Sequence, residues 1–338
     1  MNKKLVSTIK YSIFFAIGIL LIYLVFKDAD LEKMYNDLKS ADYKWMILSF
    51  VMGYAAYVSR GYRWLQLLEP MGYKPKAINA VNSVAITYFT NLALPRAGEV
   101  ARATSLNQSE DIPVDKLLGT IVIERIIDMI FLLSLMFLTV IIRYEDLINF
   151  FETAISQKGG SEAGGGSSFI IYFGGTILAL MVVAFLLRNR IKQTTIYDKI
   201  RAFLSGIKEG INTVKHMKNK GVFIAHSFFI WIMYYLMVYV VFFALPETSN
   251  LTISDGIFIM AVGSLGMVAP VPGGMGAYHG AVMLGLFLLG IPKEIGLSFA
   301  VIVHTTQTLV AIISGPIAIF MTSIAKTKRL KIELNNKN

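Results

Sequence analysis

Glu124, Arg125 and Asp128 fall within five residues inside an otherwise apolar run from Gly119 to Phe131. Glu124 and Asp128 stand four apart and share a helical face, with Arg125 about 100° around it. An ionisable group deep in a bilayer costs roughly 2.5–3.5 kcal/mol on insertion scales, so three together require partners or water. They therefore face a bundle interior, either as an ion-pair staple that fixes helix orientation or as the lining of a polar path. Arg96, Glu99 and Arg102 follow Pro95 at i, i+3, i+6 spacing. A short helix starting there offers its N-terminal N–H groups and Arg96 to an anion such as a lipid phosphate. The alternative is a solvated interfacial helix with snorkelling arginines. Arg60 and Arg63, three apart and beside Trp64, read either as interface anchors at the end of a span or as residues of a substrate path that bind lipid.

Pro272-Gly273-Gly274-Met275-Gly276 has no following Lys-Ser/Thr and is not a phosphate loop. It reads as a helix break whose glycines allow positive φ and close backbone approach, or as a plain tight turn. His279 and His304 sit in the apolar second half, the latter with Thr305, Thr306 and Gln307 on a polar stripe. Nothing in their spacing supports a metal, so they read as hydrogen-bonding groups or as part of a hydrophilic path. No Ser-His-Asp set, dinucleotide fingerprint or Walker A motif occurs, and no cofactor or metal is expected. Energy for any transport would come from an ion gradient or from downhill scrambling.

The elements that position these residues are membrane elements. Of 338 residues 55% are hydrophobic and only 16% charged, and the mean hydropathy is +0.60. That is the profile of an all-α integral membrane protein, here a single transmembrane domain over 1–338 with no soluble catalytic domain. The net charge of +10 gathers in two segments read as cytoplasmic, so a bilayer surface accounts for it and nucleic acid is not an expected partner. With no cysteine there are no disulfides, no thiolate chemistry and no Cys-ligated metal. The apolar run Tyr11 to Phe26 lacks a small-residue cleavage pattern and reads as a retained first span.

Spans are expected at about 9–26, 45–68, 117–142, 169–187, 222–245 and 295–323. Between residues 143 and 168 lie two basic and four acidic residues, whereas 188–221 carries nine basic and two acidic. The tail 326–338 carries five basic and one acidic. The positive-inside rule then puts 143–168 outside and both basic segments, with both termini, inside. The apolar stretch 79–94 cannot cross on this threading. It dips in from the cytoplasmic side and turns near Pro95 to Gly98. Residues 254–291 make an even number of crossings, as two full spans or as a hairpin breaking at Pro270 to Gly276. The bundle thus has six to eight membrane elements, two of them broken or re-entrant (about 79–102 and 254–290). Opposed broken helices are the pattern of an inverted-topology repeat.

Arg60-Gly-Tyr-Arg63-Trp64, Pro95-Arg-Ala-Gly-Glu99-Val-Ala-Arg102, Glu124-Arg125-Ile-Ile-Asp128 and Pro272-Gly-Gly-Met-Gly276, in that order, resemble the lysylphosphatidylglycerol synthase transmembrane-region family. The resemblance covers about residues 45–320. It implies a flippase-like bacterial inner-membrane domain acting on aminoacylated phospholipids, polyprenyl-linked lipids or other amphipathic lipids. It also implies that Arg96, Glu99, Arg102, Glu124, Arg125 and Asp128 form the polar centre, and it does not imply lysyltransferase activity. Where relatives often carry a Glu and an Arg, this sequence has His279 and His304, an exchange that makes any such pairing pH-dependent. The expected partner is a phospholipid or other amphipathic lipid, with a lipid-synthesis enzyme encoded nearby. The rival reading is an integral-membrane transferase, or an accessory to one, in lipid or lipid-linked glycan synthesis. The two breaks are expected to meet near one cavity, close to Glu124, Arg125 and Asp128.

Overall fold

The computed structural model describes residues 3–27, 29–159, 214–269 and 271–335. The expected span at 169–187, and the basic connection as far as residue 213, lie outside the described residues. Every regular element among the described residues is helical. In chain order they are α1 (Lys3–Phe26), α2 (Leu31–Ser40), α3 (Tyr43–Leu68), α4 (Ala77–Ala93), α5 (Gly98–Glu110), α6 (Val114–Ile142) and α7 (Tyr144–Gly159). After residue 219 come α8 (Lys220–Tyr239), α9 (Ile253–Val268), α10 (Ala277–Leu288) and α11 (Lys293–Asn335). Val114–Ile142, Lys220–Ala244 and Lys293–Ile332 are long and apolar enough to cross a membrane, and Phe15–Phe26 and Ile253–Val268 are shorter apolar helices. The protein is thus a polytopic helical membrane protein. The chain divides into two compact units, Met1–Glu124 with His216–Asn338, and Arg125–Lys215.

Within the first unit, α4 and α5 form an antiparallel hairpin. At its tip Gly98 N–H donates to Asn91 Oδ1 at 2.8 Å, which caps α5 from the preceding helix. Further along, Ser83 Oγ donates to Ser105 Oγ at 3.2 Å. At the open end Glu110 Oε1 accepts from the Lys76 N–H at 2.9 Å and from Asn79 Nδ2. Pro95 and a left-handed Arg96 (φ 65°) make the turn. Glycine is required at position 98, where an added Cβ would collide with the Thr87 carbonyl and lie 2.7 Å from Asn91 Nδ2.

α9 and α10 form a second hairpin, begun by a capping box in which Asp255 N–H donates to Thr252 Oγ1 and Thr252 N–H to Asp255 Oδ2. Gly266 lets the α10 backbone approach, since its Cβ would stand 2.7 Å from the Ala277 carbonyl oxygen. Gly273, Gly274 and Gly276 take φ of 57°, 73° and 77° at the tip, the conformations that favour glycine over other residues. The two tips touch, with the Leu92 Cδ2 3.3 Å from where a Gly273 Cβ would be.

α3 packs antiparallel on α8, with Ser49 Oγ donating to the Met237 carbonyl at 2.8 Å and Ser59 Oγ bonded to His226 Nδ1 at 2.8 Å. The 43-residue α11 packs on both hairpins and on α3. Tyr57, Val84, Ala85, Val310 and Ala318 close a core between α3, α4 and α11. α2 is a short amphipathic helix capped by Asp30, and its Asp37 Oδ2 accepts from Ser298 Oγ at 2.9 Å.

Candidate functional site

Glu124 is fully buried near the middle of α6, with 0% exposure. Arg63 Nε of α3 donates to its Oε1 at 3.3 Å, and Arg102 Nη1 of α5 donates to its Oε2 at 2.5 Å. Arg63 also donates to Ser227 Oγ of α8 at 3.3 Å. The Arg102 guanidinium lies over the Trp64 ring, 3.9 Å from its centroid, and Trp64 Nε1 donates to Thr120 Oγ1 at 2.8 Å. One carboxylate therefore ties three helices, α3, α5 and α6, through charge-assisted hydrogen bonds, and an indole closes one side. In a low-dielectric interior, loss of any one member leaves the others as uncompensated buried charges.

Arg60 and Arg63 are not interface anchors, as their spacing beside Trp64 suggested. They are 3% and 0% exposed. Tertiary packing accounts for this: Arg60 lies by the Tyr88 ring of α4 and the Tyr234 ring of α8, and Arg63 sits between Glu124 of α6 and Phe223 and Ser227 of α8. Arg60 Nε donates to Tyr234 OH at 2.7 Å, and Tyr234 OH bonds Tyr88 OH at 2.7 Å. Tyr88 in turn stacks on Tyr57, with centroids 4.2 Å apart.

Arg96 does not share a helix with Glu99 and Arg102. α5 starts at Gly98, because Arg96 takes the left-handed conformation of the turn, and its side chain is exposed. Glu99 is half-buried, three residues before Arg102 on α5. In the second unit, Arg125 Nη1 pairs with Asp128 Oδ2 at 3.9 Å, and the Asp128 side chain is the more buried of the two.

His279 and His304 come together at the second break, with ring centroids 4.7 Å apart. His304 Nε2–H donates to the Gly273 carbonyl at 2.7 Å, and the Gly276 N–H donates to His279 Nδ1 at 3.4 Å. The histidines thus satisfy backbone groups that the broken helix exposes. Among the described residues no group of His, Asp and Glu could hold a metal ion. Spacing gave no sign of Trp64, Thr120, Ser227, Tyr88 and Tyr234 as partners, since tertiary packing brings them in from other helices.

A multi-pass helical membrane protein with two broken hairpins and a buried arginine–glutamate cluster is the class that fold and site define. The chain belongs to the lysylphosphatidylglycerol synthase TM region family, whose profile matches residues 11–315. It is 23% identical to a UPF0104 membrane protein of Methanocaldococcus jannaschii, over 92% of this chain and 95% of that one. It is also 22% identical to the glycosyltransferase AglD of Haloferax volcanii, over 85% of this chain but only half the length of that relative. No solved structure matches it.

Proposed function

We propose that the protein moves an amphipathic lipid with an anionic headgroup between leaflets of the plasma membrane, both termini being cytoplasmic. The observation that carries this reading is the Arg63–Glu124–Arg102 cluster, two buried guanidiniums sharing one carboxylate beside a broken hairpin. A phosphate offers arginine the same acceptor geometry as a carboxylate. A headgroup phosphate therefore competes with Glu124 for Arg102 and Arg63 as it passes, and Glu124 re-closes the cluster behind it. Acyl chains remain in the bilayer throughout. Arg96 at the first tip, with Glu99, and Pro272, Gly273, Gly274 and Gly276 at the second, border this route.

Proteoliposomes with a fluorescent anionic phospholipid test the reading. Wild-type protein should expose the inner-leaflet label to an external quencher well above protein-free vesicles, and Glu124→Gln or Arg102→Lys should abolish the gain at equal incorporation. Wild-type rates equal to those of empty vesicles across several headgroups would overturn it. The glycosyltransferase relative favours one alternative, a membrane part serving lipid-linked glycan synthesis. Product formation from a sugar-nucleotide donor and a polyprenyl-phosphate acceptor, without translocation, would select it.

A further inference from the structure

A groove of about 230 Å³ runs between α3, α4 and α11, lined by Phe50, Tyr54, Asn82, Ala85, Ile313 and Ile317 among others. At about 30 Å³ per water-sized group it has room for on the order of eight chain atoms. Tyr54, Ile313 and Ile317 are 42%, 49% and 59% exposed, so its mouth opens sideways where the apolar surface of α11 meets hydrocarbon. Its polar residues are Asn82, Ser314 and Tyr54, the last partly exposed at the mouth. Ser314 Oγ spends its proton on the Val310 carbonyl at 2.6 Å. Asn82 does not have such an outlet: it is 8% exposed, and its Nδ2 has no hydrogen-bond partner among the described residues.

A buried amide N–H left without an acceptor costs on the order of 1–3 kcal/mol, which an acceptor on a bound lipid would relieve. Asn82 is five residues into α4, roughly 7–8 Å along the axis from the end that carries Lys74 and Lys76. Lysines at that end suit phosphates, and one and a half turns below them is where the ester carbonyls of a diacyl lipid lie. From there the groove continues past Ala85 toward Phe50.

We propose that this groove holds one acyl chain of a diacyl glycerophospholipid, with Asn82 Nδ2 donating to its ester carbonyl. The inference rests on the lipid-handling reading above and narrows the lipid to an acyl ester, because a polyprenyl chain brings no acceptor to that depth. Asn82 then distinguishes ester from ether or isoprenoid lipids, while Lys74 and Lys76 meet the headgroup.

Native mass spectrometry of the purified full-length protein provides the test, by titration with a diacyl phosphatidylglycerol and its dialkyl-ether analogue of equal chain length. The wild type should prefer the ester about fivefold, the worth of one buried hydrogen bond. Asn82→Leu should bind both alike. Ile317→Trp, a change on the exposed rim, should weaken both about tenfold while keeping the ester preference. Equal binding of ester and ether by the wild type, an undiminished ester preference in Asn82→Leu, unaltered binding by Ile317→Trp, or preferential binding of a polyprenyl phosphate would each overturn the proposal. The readout needs no transport: Asn82-dependent binding without translocation would sink only the transport reading, and translocation without ester preference would sink only this one.

Discussion

Glu124 holds two arginines that would otherwise repel each other, and removal of its charge is felt by both. Glu124→Ala should destabilise the protein by about 3–5 kcal/mol, the cost of breaking a buried pair from one side. Glu124→Gln keeps the shape and one acceptor oxygen and should cost less than half as much, measured by thermal unfolding in detergent. Equal stability of the alanine variant and wild type would show that the cluster is not holding the helices together. The sequence makes it plain that Glu124 needs a partner, since a carboxylate in an apolar run cannot stand alone. It does not show which partner. Arg125 is the adjacent candidate, yet the hydrogen bonds come from Arg63 and Arg102, 61 and 22 residues away. Nothing local could reveal that, because helix rotation and packing decide which of several nearby charges meet.

At the scale of elements, the hairpins depend on glycines that admit a neighbouring backbone. Gly98→Ala should destabilise by about 2–4 kcal/mol, because the collision is with the Thr87 carbonyl and not with a side chain that can swing away. Gly276→Ala combines a positive φ with collisions against the backbone of Leu21 and Ile22 in α1 and should cost at least as much, about 2–4 kcal/mol. Gly119→Ala, with open space around it, is the control and should be neutral or slightly stabilising. Denaturant or thermal midpoints in detergent check all three. Both breaks were legible, since Pro95 and the Pro272 to Gly276 glycines cannot continue a helix cheaply. The start of α5 was displaced by two residues. Helical spacing counted Arg96 in, whereas the turn after Pro95 places that residue in the left-handed region.

For the whole molecule, charge counting across the loops led to an all-helical bundle with two broken elements, and the helical architecture with its spanning helices bears out the fold class. Membrane placement of the hairpins is a separate matter, and the natural absence of cysteine makes it measurable. Lys76→Cys and Asp111→Cys, at the open end of the first hairpin, should react with an impermeant maleimide from the cytoplasmic side. Asn250→Cys and Lys293→Cys, flanking the second, should react from the other. Labelling of Lys76→Cys and Asp111→Cys from opposite faces would mean that the first hairpin crosses fully.

α11 packs on both hairpins and is anchored to each: His304 bonds the Gly273 carbonyl of the second, and Thr322 Oγ1 bonds Ser105 Oγ at 3.3 Å and Arg329 Nη1 the Asn107 carbonyl at 3.2 Å in the first. Pro316 lies between those anchor points. A proline there removes one rung of the helical ladder and lowers resistance to bending. In mechanical terms α11 is a strut pinned on either side of a weak section. Any relative tilt of the hairpins loads it in flexure at Pro316, and the spring constant of that section sets how much work separating the tips requires.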